Sequence, residues 1–290
     1  MFVVQAIIDG ILVGTTYALI GIGFTLIFGV MHKLNLAFAA ASIAGAFASL
    51  IVWQHMKELP VPVIFLIAAA SAGAIGYLIY LACFRFIPLK SPLATLMATV
   101  GMLIFLEEVV THVSDGKAQN FPGMVPDARW NLGPLDIRVD YVLVFVISLA
   151  AMLLLLALLY RTRLGIATRA VAQQPVAAQL CGISLDRTNA ATFVMSGVLG
   201  GLAGAMIGSS AELLSNLLPL QLTVKGLIVT VIGGLGSIPG AIVAGLLVGA
   251  VEKGVETWSV LARDLCVMLL IFVFLVAKPA GIFGKLNVRD

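Results

Sequence analysis

The sequence predicts an all-α fold, a polytopic transmembrane helix bundle of about eight to nine spans with one short helix on the cytoplasmic side. Three observations support this prediction. Hydrophobic residues make up 61% of the 290 residues and charged residues 11%, whereas roughly a quarter of the residues in a soluble domain are charged. The mean hydropathy is +1.12. Long apolar runs recur along the chain, and one basic stretch, residues 161–187, interrupts them. We expect one transmembrane domain over residues 1–290.

Each predicted span is a mostly apolar run of about 20 residues, the length that a helix needs to cross a hydrocarbon core of about 30 Å. The first run has no basic residues before it and contains Asp9, so we interpret it as a span and not as a cleaved signal peptide. The predicted spans are residues 5–30, 35–53, 61–84, 92–112, 139–160, 188–208, 222–235, 240–256 and 259–277.

Residues 161–187 predict the topology. They contain one acid and four basic residues, Arg161, Arg163, Arg169 and Arg187. Basic loops accumulate on the cytoplasmic side of a membrane, so we place this segment inside and the loop of residues 112–140, which has no basic excess, outside. Counting spans in both directions then places the N-terminus outside. The C-terminal tail is placed inside with its basic residues Lys278, Lys285 and Arg289.

Residues 231–249 leave two interpretations open. Their Gly and Pro content breaks an otherwise continuous apolar run. They form either a tight turn between two helices or one broken span, and non-helical backbone at membrane depth occurs only where protein or a water-filled cavity surrounds it. Lys225 and Glu252 flank this break with opposite charges in apolar surroundings. We predict that they form a structural ion pair.

Small residues recur at intervals of four after the polar segment. Such rows let helix backbones approach closely, which predicts tight packing within a bundle or between subunits. The rows are Gly197, Gly201 and Ala205, then Gly200, Gly204 and Gly208, with Gly245 and Gly249 repeating the spacing.

The sequence contains neither a phosphate-binding loop nor the motif of a zinc protease or a serine hydrolase. We therefore predict that the chain has no catalytic residue and does not hydrolyse ATP. Its cysteines lack metal-ligand spacing, so we expect buried small hydrophobes and no metal site. The net charge of +3 lies mostly in loops and predicts no nucleic-acid partner. The cysteines are Cys83, Cys181 and Cys266.

Residues 161–187 resemble the coupling segment of bacterial ABC importer permeases, whose hallmark runs Glu-Ala-Ala, three residues, Gly. The match here is Val176-Ala177-Ala178 and Gly182, with Val176 in place of Glu. Further motifs resemble the branched-chain amino acid permeases, in the family's order and as found in the first of two paired permease subunits. They are residues 17–19, 23–30 and 35–37, RTRLG at 161–165, RAVA at 169–172, GGLGSIPG at 233–240 and KPAGIFG at 278–284. After Asn35-Leu36-Ala37 the family usually has His-Gly, and here Phe38-Ala39 follow.

The resemblance implies an ABC importer permease in a bacterial inner membrane, with no cofactor of its own. It implies a second homologous permease, two ATPase subunits that hold ATP and Mg, and an external substrate-binding protein as partners. The implied ATPase-coupling residues are Arg161, Arg163, Arg169, Pro175, Val176, Ala177, Ala178 and Gly182. The implied path or gate residues are Asn35, Phe38, Gly233, Gly234, Gly236, Ser237 and Pro239.

Two other functions remain open at this point. A secondary transporter driven by an ion gradient would use Asp9, Glu107 or Glu212 to bind the coupling ion. An ABC permease of the same family would instead carry urea, short amides or other small substrates, because branched-chain amino acids are implied by the resemblance and not by particular residues.

Overall fold

A computed structural model of the chain describes residues 2–56, 59–87, 92–125, 129–132, 135–278 and 280–284. Within these ranges the chain forms eleven α-helices and four short β-strands. The helices are α1 (Phe2–Met31), α2 (Phe38–His55), α3 (Val61–Ile79), α4 (Pro92–Val113), α5 (Val139–Arg161), α6 (Arg163–Gln173), α7 (Pro175–Leu180), α8 (Leu185–Ala211), α9 (Leu218–Gly233), α10 (Ile238–Glu256) and α11 (Val260–Ala277). The strands are β1 (Gln119–Asn120), β2 (Arg129–Leu132), β3 (Leu135–Arg138) and β4 (Leu213–Leu214).

The predicted all-α transmembrane class is confirmed. Seven helices in the described part of the chain are long and apolar enough to cross a membrane: α1, α2, α3 with the π-helical turn Tyr80–Arg85 that continues it, α4, α5, α8 and α10. Helix α9 is shorter, with 16 residues. Helix α11 has 18 residues, and those after Asp264 are apolar. Together these helices account for the predicted count of about eight to nine spans.

Helix α1 lies at the centre of the bundle. It packs along α10 and also contacts α8, α5 and α9, while α3 packs along α8 and α2 contacts both. In the most apolar stretch of α1, 72% of the residues are buried inside the chain, against 28% in α4 and in α5. Helices α4 and α5 are therefore peripheral, with apolar side chains available to lipid or to another subunit.

The two glycine rows of α8 pack against different helices of the same chain. A Cβ atom at Gly201 would collide with the backbone oxygen of Ala68 in α3, and one at Gly204 would lie 2.8 Å from the backbone oxygen of Ser42 in α2. A Cβ at Gly245 in α10 would lie 2.5 Å from Ala18 Cα in α1. The sequence left packing within a bundle or between subunits open, and these contacts place the rows within the bundle.

We expect Gly201→Val to destabilise the bundle, because the added methyl groups would separate α8 from α3. Overpacking of this kind costs about 1–3 kcal/mol. Gly101→Val is the matched control, since a Cβ at Gly101 in α4 meets no atom within 4 Å. Thermal unfolding in detergent would measure both variants. Equal midpoints for the two variants would contradict the assigned contact.

The two ends of the bundle carry different structures. At one end, which we call the α7 end, Val30 near the end of α1 packs with Val171 of α6 and Ala178 of α7. At the opposite end, β1 pairs with β4 and β2 pairs with β3, each antiparallel. Residues 112–140 and 161–187 thus lie at opposite ends of α5. Lys285 and Arg289 of the predicted inner tail, and Pro279 of its motif, lie outside the described residues.

The cysteine prediction is partly wrong. Cys83 is buried in the core as predicted, but Cys266 is only half-buried and Cys181 is exposed. Cys181 directly follows α7, on the outer surface of the α7 end, so the apolar residues around it in sequence do not enclose it in space.

Candidate functional site

The segment that joins α5 to α8 folds as two short helices at the α7 end. Thr162 caps α6 by accepting a hydrogen bond from the Gly165 backbone N–H at 3.1 Å. A Cβ at Gly165 would collide with the backbone oxygens of Leu158 and Leu159, so the sharp turn out of α5 requires glycine there. Pro175 occupies the first turn of α7, where the missing N–H of proline costs no hydrogen bond.

Helix α7 has one buried face and one exposed face. Ala178 is only 4% exposed and packs against Val30 and Val171. Val176 and Leu180, four positions apart and therefore on one face, are 69% and 85% exposed. Ala177 is exposed beside them. The segment thus presents a small apolar surface, Val176 and Leu180, outward from the bundle.

Gly182 ends this segment in the left-handed region, with φ of 82°. The Ile183 N–H donates to the Ala178 backbone oxygen at 3.0 Å, which satisfies a carbonyl at the end of α7. A residue with a Cβ would be strained at Gly182 for this backbone reason, although the space around it is open. Gly182 therefore sets the direction of the chain into α8.

A cleft of about 600 Å³ brings the two predicted groups of residues together at the α7 end. Arg169 and Tyr160 line one side, with the Arg169 guanidinium carbon 4.6 Å from the centre of the Tyr160 ring. Gly236, Ser237 and Pro239 line the other side. The remaining predicted arginines, Arg161 and Arg163, are exposed nearby in sequence. The basic segment and the Gly-rich turn therefore share one cleft.

Residues 231–249 form two helices and not one broken span. Helix α9 ends at Gly233 and α10 begins at Ile238, and Gly234 and Gly236 between them have φ values of 97° and 88°. The C-terminal segment holds this turn, because the Ile282 N–H donates to the Ile232 backbone oxygen at 2.8 Å. The interpretation as a tight turn between helices, one of the two left open by the sequence, is the observed one.

Asn35 and Phe38 are both 2% exposed. The Phe38 ring packs edge-to-face on Phe24, with 4.9 Å between ring centres, and contacts Gly23 and Gly200. Gly23 lies eight residues before the end of α1, about 12 Å along the helix axis. Residues 32–37 therefore turn back into the bundle before α2 begins. In this conformation the Phe38 ring fills the space between α1 and α8.

Lys225 and Glu252 lie in direct contact. The Lys225 Nζ is 2.7 Å from Glu252 Oε1, and the two side chains are 13% and 6% exposed. Tyr17 places its hydroxyl 3.4 Å from the same ammonium. Arg263 Nε lies 3.5 Å from Glu252 Oε1, and Asp264 Oδ1 lies 3.7 Å from Lys225 Nζ. The pair thus connects α9 and α10 with α1 and α11.

Three members of this network were not predicted from the sequence: Tyr17, Arg263 and Asp264. For Arg263 and Asp264 the sequence does contain a signal, because two adjacent charges within an otherwise apolar helix indicate charged partners nearby. The acids of the ion-gradient alternative lie on different elements, Asp9 on α1, Glu107 on α4 and Glu212 after α8. The described residues contain no group of three His, Cys, Asp or Glu side chains suited to a metal ion.

Comparison with known proteins identifies the family. Residues 6–277 match the family described as branched-chain amino acid transport system, permease component. The chain belongs to this permease family. The permease is 30% identical to the high-affinity branched-chain amino acid transport system permease protein BraD of Pseudomonas aeruginosa, over 98% of this chain and 97% of that protein. It is 27% identical to LivH of Escherichia coli, a permease protein of the same description, over 100% of this chain and 98% of LivH.

A more distant relative differs in its named substrate. The guanosine ABC transporter permease protein NupQ of Bacillus subtilis is 28% identical over 62% of this permease and 59% of NupQ. The relatives are thus permease components of transporters and not enzymes. The described residues of this permease contain seven candidate spans, so it is a multi-pass membrane protein. The ion-gradient alternative is not favoured by these relatives.

Proposed function

We propose that this chain is a transmembrane permease subunit of an ABC importer that translocates branched-chain or related amino acids across a bacterial inner membrane. The observation that carries the proposal is the similarity to branched-chain amino acid permease proteins over nearly the full length of the chain. A second homologous permease completes the membrane part. An external binding protein delivers the substrate, and two separate ATPase subunits hold ATP and Mg.

The segment of residues 161–187 would couple the ATPase subunits to the bundle. The exposed apolar surface of Val176 and Leu180 offers the contact, and the arginines beside it support a cytoplasmic position for the α7 end. The N-terminus is then outside and the C-terminus inside. ATPase-driven closure shifts the permease between conformations only if the ATPase pair binds one conformation more tightly than the other.

The packing of α7 suggests how the movement reaches the path. Ala178 shares a buried cluster with Val171 of α6 and with Val30 near the end of the central helix α1, so a displacement of α7 would act on α1 through this cluster. Phe38 packs against Gly23 of the same helix. A shift of α1 would therefore change the space that the Phe38 ring now fills. Arg169 faces the turn of Gly236 and Ser237 across the shared cleft, which gives a second route into α9 and α10.

Reconstitution tests the proposed function. We expect proteoliposomes that contain this permease, its paired permease and the ATPase subunits to accumulate L-leucine only with ATP on the ATPase side and binding protein on the other side. The control replaces ATP with a non-hydrolysable analogue. Uptake by this chain alone, driven by an ion gradient, would overturn the proposal. Uptake of guanosine or urea in place of leucine would keep the ABC mechanism and correct the substrate.

A further inference from the structure

A small cavity of about 230 Å³ opens between α9 and α11, next to the charged network. Cavities for drug-sized ligands measure roughly 300–1,000 Å³, so this one suits a smaller molecule. Its wall is mostly aliphatic, with Val224, Ile228 and Val267 among the lining residues. Its polar lining comes from Gln221, Lys225 and Asp264.

The two charged side chains at the cavity, Lys225 and Asp264, differ in the distances to their partners in the protein. Lys225 holds Glu252 at 2.7 Å, a short charge-assisted hydrogen bond, but Asp264 lies 3.7 Å away, beyond hydrogen-bond length. An ammonium has three donors; one reaches Glu252 and one the Tyr17 hydroxyl at 3.4 Å, so the third can donate to a further anionic partner without releasing Glu252. Asp264 is 48% exposed and receives a long contact of 3.3 Å from Arg263 Nε. This exposure lets the Asp264 carboxylate accept a hydrogen bond from a further cation.

We propose that this cavity binds a small zwitterion with an aliphatic body, namely a free aliphatic α-amino acid. The ligand carboxylate would bind Lys225, the ligand ammonium would bind Asp264, and the side chain would contact Val224, Ile228 and Val267. Binding alongside Lys225 and Asp264, whose charged atoms are 3.7 Å apart, keeps every charge paired, which avoids the cost of leaving a desolvated charge without a partner. The proposal rests on the proposed transport function and adds a binding site within the membrane part.

Binding to the purified full-length chain in lipid nanodiscs, without ATPase subunits, tests the site. The probe is radiolabelled L-leucine, and we expect saturable binding. L-Leucinamide lacks the carboxylate and 4-methylpentanoate lacks the ammonium, so each should compete at least about tenfold more weakly, the effect of losing one hydrogen bond to a charged group. Absence of saturable leucine binding, or equal competition by both analogues, would overturn the proposal.

Substitutions in and beside the cavity test whether leucine binds there. Asp264→Asn should weaken leucine binding at least about tenfold by the same reasoning. Met268→Trp should fill the cavity and abolish binding, since Met268 lines it. Leu269→Trp is the matched control, because Leu269 is adjacent, is 51% exposed against 50% for Met268, and does not line the cavity. Size-exclusion profiles verify folding of each variant. Native affinity in Asp264→Asn, or equal binding by the two Trp variants, would refute the site.

The uptake assay separates this proposal from the proposed function. If the isolated chain binds no leucine while the assembled transporter accumulates it with ATP, the cavity assignment fails and the transport function stands. If the assembled transporter needs no ATP, the transport function fails, whatever the isolated chain binds.

Discussion

Lys225→Met is expected to lower the free energy of unfolding by about 3–5 kcal/mol, the usual cost of removing one partner of a buried ion pair. The substitution removes the 2.7 Å partner of the Glu252 carboxylate, which is 6% exposed, while the longer 3.5 Å contact to Arg263 Nε remains. A carboxylate that is buried among membrane helices has little water to stabilise its charge. Denaturant unfolding in mixed micelles measures the loss.

Two further variants separate the buried pair from a more exposed ion pair. Combining Lys225→Met with Glu252→Leu removes both charges and should restore most of the lost stability. Lys253→Met is the control: its partner Glu256 lies 2.9 Å away and both side chains are 29% exposed, so the loss should stay below about 1 kcal/mol. Equal losses for Lys225→Met and Lys253→Met would contradict a buried structural role.

Hydropathy predicted most spans because membrane helices must be both apolar and long. It could not place the start of α2. The predicted span begins at residue 35, yet residues 35–37 lie before Phe38 on a segment that turns back to the level of Gly23. Hydropathy reports what surrounds a side chain and not the direction of the backbone. Only the packing of Phe38 against α1 and α8 reveals the turn.

The candidate site was predictable in part for similar physical reasons. The basic excess of residues 161–187 and the opposite charges of Lys225 and Glu252 are local features that a sequence displays. The buried and exposed faces of α7 cannot be predicted from the sequence, because a helix of six residues is too short for a periodic pattern. Ala177 and Ala178 are identical in type, and only the packing of Ala178 in one cluster with Val30 and Val171 distinguishes them. Arg263 reaches Glu252 by the same kind of long-range packing.

The variant Val176→Asp with Leu180→Asp is expected to prevent binding of the proposed ATPase subunits and to reduce ATP-driven uptake at least about 100-fold. Apolar side chains at the centre of an interface each contribute about 2 kcal/mol or more when they act as hot spots, and two carboxylates would have to be desolvated in their place. The chain itself should fold normally, because both side chains are exposed. Co-purification of the ATPase subunits measures binding, and vesicle uptake measures transport.

Ala178→Leu distinguishes binding of the ATPases from transmission of their movement. Ala178 faces Val30 and not the outer surface, so the larger side chain should leave the ATPase subunits bound while it displaces α7 from α1. ATP hydrolysis would then continue with reduced uptake.

The control for the double Asp variant is Leu217→Asp, at a 68% exposed position just before α9 and at the opposite end of the bundle. It should leave ATPase binding unchanged. Normal uptake by the double Asp variant, with the ATPases still bound, would show that α7 does not couple them to the permease.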